Sequence, residues 1–333
     1  MKLSNAASLA LLLATASTTA FVVHPANTKS TATTSSTKLF ISSWGARGPP
    51  SRWKEEDPDI SQKISAYLNA PEPVAARANL DGTVLVSGWV NTKERTDQTI
   101  FDFLNGGSVD GETAFKFDKI VAFVNDAKFA KKRLISRSSR YSGLLDKLDF
   151  IQAETEDALP TAEQLAGVSS WVVNVSLGNG SNLDTVKAVA ELVSKSEVKN
   201  VAILLSDAQM LTDTQAPMDA VAAFNTNGNA KYTIIAVGAI SETPEGQFPY
   251  GIAEFGTTEG LLASNATYSR DESLRVVAEC LGLESACNKA LVFTEVRDVN
   301  QTEFKLVRGL REGGYTRPQE IDHMIVKGPV VST

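Results

Sequence analysis

Seven short runs of apolar and β-branched residues recur along the chain, at residues 83–87, 119–124, 147–152, 171–176, 200–205, 231–237 and 290–296. Several are apolar at successive positions, as in Val201-Ala202-Ile203-Leu204-Leu205. A strand apolar on both faces has to be covered on both, which is the condition of a buried parallel sheet. Segments of helical period lie between the runs. Residues 96–104 open at the N-cap candidate Thr96 and stop at Gly106-Gly107. Residues 183–195 put Val186, Val189, Ala190 and Val193 on one face, and residues 271–281 do the same with Leu274, Val277 and Leu281. This alternation predicts an α/β fold, a doubly wound parallel sheet with helices on both faces. It occupies residues 83–297.

The flanks read differently. In a lead-in at residues 55–82, Ile60, Ile64, Tyr67 and Leu68 have helical spacing, and Pro71 and Pro73 end that element. A C-terminal extension at residues 298–333 reads as a helical tail. One helix at 303–311 stops at Gly313-Gly314, and a second opens on the capping box of Thr316 and Gln319. At the other end, Met1-Lys2 precedes an apolar run, residues 6–20, that ends in small residues. The run is too short for a membrane span and suits a signal peptide over residues 1–20. Residues 21–54 are rich in Ser and Thr, and no acidic residue occurs before Glu55. That composition is the mark of a transit peptide with a linker. The junction Ser17-Thr18-Thr19-Ala20-Phe21-Val22-Val23-His24-Pro25 resembles the alanine–phenylalanine cleavage motif of bipartite presequences in algae with secondary plastids. That resemblance implies import into the plastid stroma, with Phe21 opening the transit peptide. A secreted protein with a Ser/Thr-rich linker is the alternative, but it has no need of an acid-free second segment.

Residues 1–54 hold six basic residues, so the remainder carries 26 basic against 39 acidic ones, a net charge of −13. Such a surface repels nucleic acid and anionic lipid. Two cysteines, Cys280 and Cys287, are too few for a disulfide framework or a four-ligand metal site. A bridge between them is open, but two buried thiols on a helix and the loop after it are expected. Beyond residue 54 the only histidine is His323, which argues against histidine-clustered metal sites and a Ser–His–Asp triad spread along the domain. No later stretch is long and apolar enough to span a membrane.

The order and wording of the elements resemble the NmrA-like, atypical branch of the short-chain dehydrogenase family. The stretches that carry the likeness are residues 125–132, similar to a basic turn after the second strand; 165–173; 182–199 with the strand that ends at Ser206; 231–238; and Tyr268-Ser269-Arg270-Asp271-Glu272. The resemblance implies a Rossmann-type, NAD(P)-binding domain, and the departures from it bear on function. A dinucleotide fold uses glycines in its first strand–helix turn so that backbone amides reach the pyrophosphate. Here the turn runs from Ser87 to Thr96, only Gly88 remains of the glycines, and Trp89 and Val90 stand where the family keeps small residues. Lys93, Arg95 and Lys128 are the candidates for holding a phosphate by charge, although charged loop residues are usually just solvated. The family's catalytic pair is a Tyr with a Lys four residues on, the Lys lowering the Tyr pKa for proton transfer. The residues four after Tyr67, Tyr141, Tyr232, Tyr250, Tyr268 and Tyr315 are Pro71, Leu145, Ala236, Glu254, Glu272 and Gln319, and none is Lys. Ser206 matches the family's catalytic serine.

These departures lead to the expectation of a plastid NAD(P)-binding-fold protein that is non-catalytic: a scaffold, an assembly factor or a weak dinucleotide sensor in a plastid complex. No cofactor is expected at high affinity, and NADP is the dinucleotide left open. The alternative is an NADP-dependent oxidoreductase with non-standard residues, drawing on Ser206, Tyr232 or Tyr250 for the proton and on Lys93 and Lys128 for phosphate. The presequence reading has a direct test. Residues 1–54 fused to a fluorescent protein should deliver it to the stroma, and Phe21→Ala should hold it outside. Import unchanged by Phe21→Ala, read by microscopy, refutes the motif.

Overall fold

The computed structural model describes residues 74–88, 98–106, 108–109, 112–113, 115–137, 142–155, 158–176, 182–206, 221–225, 230–241, 250–254, 267–295 and 315–327. All lie within the unit Glu56–Thr333. The strands are β1 (Asp81–Ser87), β2 (Ser108–Val109), β3 (Glu112–Thr113), β4 (Lys116–Val124), β5 (Leu148–Gln152), β6 (Val168–Ser176), β7 (Asn200–Ser206), β8 (Lys231–Val237), β9 (Ala239–Ser241), β10 (Tyr250–Glu254), β11 (Thr267–Ser269) and β12 (Lys289–Glu295). The helices are α1 (Gln98–Gly106), α2 (Ala127–Arg137), α3 (Ser142–Lys147), α4 (Asn182–Ser194), α5 (Arg270–Gly282) and α6 (Arg317–Lys327).

Eight strands form one sheet in the order β10-β12-β8-β7-β6-β1-β4-β5. Seven of them are parallel, and β10 joins β12 antiparallel at the edge. Numbered along the chain, the parallel strands run 3-2-1-4-5-6-7 across the sheet, the doubly wound Rossmann order extended by one strand. The seven expected runs are these seven strands, displaced by at most a few residues at their ends.

Side-chain alternation divides the core in two. Val84, Val86, Ile120, Ala122, Val172, Ala202 and Leu204 meet Ile100, Phe101 and Leu104 of α1 and Leu274, Val277 and Leu281 of α5 on one face. Leu85, Val121, Val173, Val175, Ile203 and Leu205 meet Val186, Val189, Ala190 and Val193 of α4 on the other. Each fully buried Val or Leu stabilises the fold by roughly 1.5–3 kcal/mol. That is why β7, buried at every position, sits in the middle of the sheet. Trp171 is fully buried, and its indole N–H donates to the Ser87 hydroxyl at 2.8 Å, so its polar edge is satisfied inside the sheet.

Several elements differ from the sequence reading. The stretch at 125–132 is a two-residue step into α2, not a turn. Asp126 caps that helix, its Oδ1 accepting from the Phe129 N–H at 2.8 Å. The short strands β9, β10 and β11 and the hairpin β2–β3 are additional. In the lead-in, Ala76 bridges Leu283, the Arg77 N–H donates to the Gly282 carbonyl at 2.8 Å, and Asn79 takes a left-handed φ of 59° before β1. The Arg77 side chain is buried, donates to Thr233 Oγ1 and to the Cys280 and Leu283 carbonyls, and has its pKa lowered by desolvation. The helices expected around residues 60–68 and at 303–311 lie outside the described residues, as does Thr96. Both cysteines are free, Cys280 buried on α5 and Cys287 half-buried just after it.

Helix α6 belongs to the same core. Ile321, Met324 and Ile325 join the cluster that holds α1 and α5. Its Thr316 N–H donates to Gln319 Oε1 at 2.8 Å, the N3-to-cap half of a capping box. Arg317 pairs with Glu272 and, at 3.0 Å, with Glu279, one helical face of α5, and its guanidinium lies 4.7 Å over the Tyr250 ring. Arg275 extends the chain of contacts, bonding Glu279 at 3.1 Å and lying over Phe103 of α1.

One backbone contact places the strand ends. Gly88 follows β1 with φ +76°, and a Cβ there would stand 2.0 Å from the Asn174 carbonyl oxygen. Gly88→Ala therefore combines left-handed strain of roughly 1–2 kcal/mol with overpacking against backbone of about 1–3 kcal/mol. Urea unfolding should show a loss of about 3 kcal/mol or more. Arg317→Ala leaves Glu272 and Glu279 buried without their shared cation, and a loss of about 3–5 kcal/mol is expected in the same measurement.

Candidate functional site

In a doubly wound sheet the ligand crevice opens where neighbouring strands send their helices to opposite faces. Here that point lies between β1 and β6. The chain leaving β1 forms α1 on one face, and the chain leaving β6 forms α4 on the other. Parallel register pairs Ser87 with Val173, so the next residue, Gly88, meets Asn174. The glycine allows the backbone of β1 to run against β6 at the spot where a ligand would approach the strand ends.

Asn174 supplies the most unusual group of the region. Val172 faces the α1 side while Val173 and Val175 face α4, so alternation turns the Asn174 side chain toward α1. It is only 5% exposed, yet neither its Oδ1 nor its Nδ2 has a hydrogen-bond partner. Buried polar atoms are paired in the great majority of cases, so two unpaired atoms on one side chain require a cause.

The end of β4, on the other side of β1, is closed by a small network. The Ala127 N–H donates to Gln152 Oε1 at 2.9 Å, Gln152 Nε2 donates to the Asn125 carbonyl, and Asp126 caps α2. The amides of Ala127, Phe129 and Ala130 in the first turn of α2 therefore already have acceptors. Lys128 is exposed in that first turn beside exposed Lys131 and Lys132. The Asp126 carboxylate next to it caps the same helix N-terminus, and its negative charge opposes a phosphate there. Lys93 and Arg95 lie outside the described residues.

Ser206 ends β7 one strand beyond β6, in register with Ser176 and Val237. It is buried, and its hydroxyl donates to the Val175 carbonyl at a long 3.5 Å. The tyrosines proposed as proton donors are elsewhere. Tyr232 is the second residue of β8, opposite Val201 near the amino end of the sheet, with its ring stacked 5.0 Å from Phe224. Its hydroxyl donates to Asn225 Oδ1 at 3.1 Å, and burial raises its pKa. Tyr250 lies on the edge strand β10, with β12, β8, β7 and β6 between it and β1. Its hydroxyl donates to Glu320 Oε2 at 2.9 Å, and burial pushes the phenol far above its ordinary range. The structure therefore brings Gly88 and Asn174 together, sets Ser206 one strand away, and separates both tyrosines from them.

His323 packs edge-on against Tyr315 in α6, and burial lowers its pKa. Among the described residues no cluster of His, Cys, Asp or Glu could hold a metal ion, and no helix is long and apolar enough to cross a membrane. The sequence reading missed Asp126 and Asn174. The pair Asn125-Asp126 just after a strand was a visible signal for the first; nothing in the sequence marked the second.

No family model and no curated protein matches the chain. Among solved structures it is similar to a Rossmann-fold NAD(P)-binding family protein from Shigella flexneri, at 12% identity over 65% of this chain and 94% of that one, with a TM-score of 0.43. It is similar to a short-chain dehydrogenase/reductase from Veillonella parvula in complex with NADP, at 12% identity over 67% and 96%, TM-score 0.42. It is also similar to an anaerobilin reductase from Escherichia coli O157:H7, at 10% identity over 65% and 98%, TM-score 0.42.

Proposed function

We propose that this chain is a plastid protein of Rossmann fold that carries out no reduction, serving as a scaffold, an assembly factor or a weak dinucleotide sensor within a plastid protein complex. One observation carries the reading: the phenol groups of Tyr232 and Tyr250 are buried, hydrogen-bonded to Asn225 and Glu320, and remote from the junction of β1 and β6. A carbonyl reductase needs a proton donor within hydrogen-bonding reach of its substrate, with a pKa near the working pH. Burial moves both phenols away from that range. Ser206 alone is a poor acid, because an unassisted serine hydroxyl needs an adjacent base or cation to exchange its proton.

The nucleotide side of the proposal rests on the strand order and on Gly88. The first turn retains one glycine, so a pyrophosphate would find fewer open amides than the fold can offer. Solvent-exposed charges such as Lys128 contribute only about 0.2–1 kcal/mol each, whereas a micromolar site needs about 8 kcal/mol. Affinity for NADP(H) is therefore expected to be weaker than about 100 μM, near 5.5 kcal/mol. Isothermal titration of the purified protein checks it. A dissociation constant in the low micromolar range, with turnover of a carbonyl substrate, would restore the oxidoreductase reading built on Ser206.

A further inference from the structure

We infer that Asn174 is a ligand-binding residue, and that the group it takes is neutral and carries a donor and an acceptor side by side, as a primary carboxamide or the edge of a nucleobase does. The inference deepens the proposed function, since it rests on the β1–β6 junction being a nucleotide site.

Asn174 belongs to a central strand, and its backbone joins the sheet ladder and meets Gly88. The carboxamide takes no part in that ladder. It is turned toward the apolar face of the sheet, where Val172 precedes it on the same strand and Leu204 stands opposite it on β7. A leucine there would pack on these neighbours and leave nothing unpaired. Asparagine leaves one donor and one acceptor without partners at 5% exposure, which destabilises the unliganded fold. Groups that weaken a fold in this way concentrate where function requires them.

The chemistry of the two atoms selects the ligand. Both are unsatisfied, Nδ2 as donor and Oδ1 as acceptor. A phosphate offers acceptors alone and would leave Oδ1 unpaired against a like-charged surface. An ammonium group offers donors alone and would leave Nδ2 unpaired. An amide edge satisfies both in one planar pair of hydrogen bonds. The position fits as well: Asn174 is two residues from the end of β6 and directly beside the glycine of the strand–helix turn.

The test uses the purified protein with Asn174→Leu and Asn174→Asp, thermal unfolding without ligand, and ligand-observed NMR with three probes: nicotinamide mononucleotide, AMP and inorganic pyrophosphate. Asn174→Leu should raise Tm by about 2–4 °C. It should weaken binding of nicotinamide mononucleotide or AMP roughly tenfold or more, the loss of two hydrogen bonds, and leave pyrophosphate unchanged. Asn174→Asp, which keeps only acceptors, should lose the same probe. A Tm that falls in Asn174→Leu overturns the inference, because the carboxamide would then be supporting the fold. A Tm that rises with affinity unchanged overturns it too, and places a trapped water on the amide. If the unmutated protein binds pyrophosphate but neither amide-bearing probe, the inference fails while the nucleotide reading stands. If it binds none of the three, both fail.

Discussion

Parallel register carries Ser87 opposite Val173, and the next step brings Gly88 onto the Asn174 carbonyl, too close for any side chain to fit between them. The rest of the arrangement depends on that contact. The left-handed backbone at Gly88 turns the chain out of the sheet, so α1 can cross onto the face that it shares with α5. With β6 feeding α4 to the other face, the helices that follow these two neighbouring strands part here. A larger residue at 88 would push β1 and β6 apart and disturb the Trp171–Ser87 hydrogen bond just below.

Much of this was legible because burial on both faces leaves a coarse signature. Val201-Ala202-Ile203-Leu204-Leu205 has no polar position to alternate with, and it became the fully buried β7. The elements that escaped were those whose pattern is weaker than their tertiary support. Tyr250-Gly251-Ile252-Ala253-Glu254 is five residues long with a glycine inside, and it is a strand because β12 offers it an antiparallel edge. Helix α2 carries Lys128, Lys131, Lys132 and Arg133, and among its described side chains Ala130 and Leu134 are buried in the core with Ala127 packed against it, so charge masked its period. A resemblance that placed a turn there also missed the helix.

The site was less legible than the fold, for a physical reason. Whether a tyrosine can pass a proton depends on what stands around its hydroxyl, and that is decided by residues far away in sequence. Tyr250 is engaged by Glu320, seventy positions on, and shielded by Arg317. Asn174 is the sharper case. In the string Val173-Asn174-Val175 an asparagine looks like any other; only the packed sheet reveals that both its polar atoms are left over. Gly88, by contrast, was readable, because a glycine that ends a first strand has few other reasons to be there.

The way α6 is fastened has a consequence for the order in which the molecule can be completed. Its Ile321, Met324 and Ile325 lie in the same core as β1, and Arg317 supplies the cation that two buried carboxylates of α5 require. A chain emerging amino end first has made every strand of the sheet while that core still lacks its last wall and Glu272 and Glu279 of α5 still lack Arg317. Until α6 docks, one apolar face of the sheet stays uncovered, so closing the domain waits on a segment that follows every strand of the sheet.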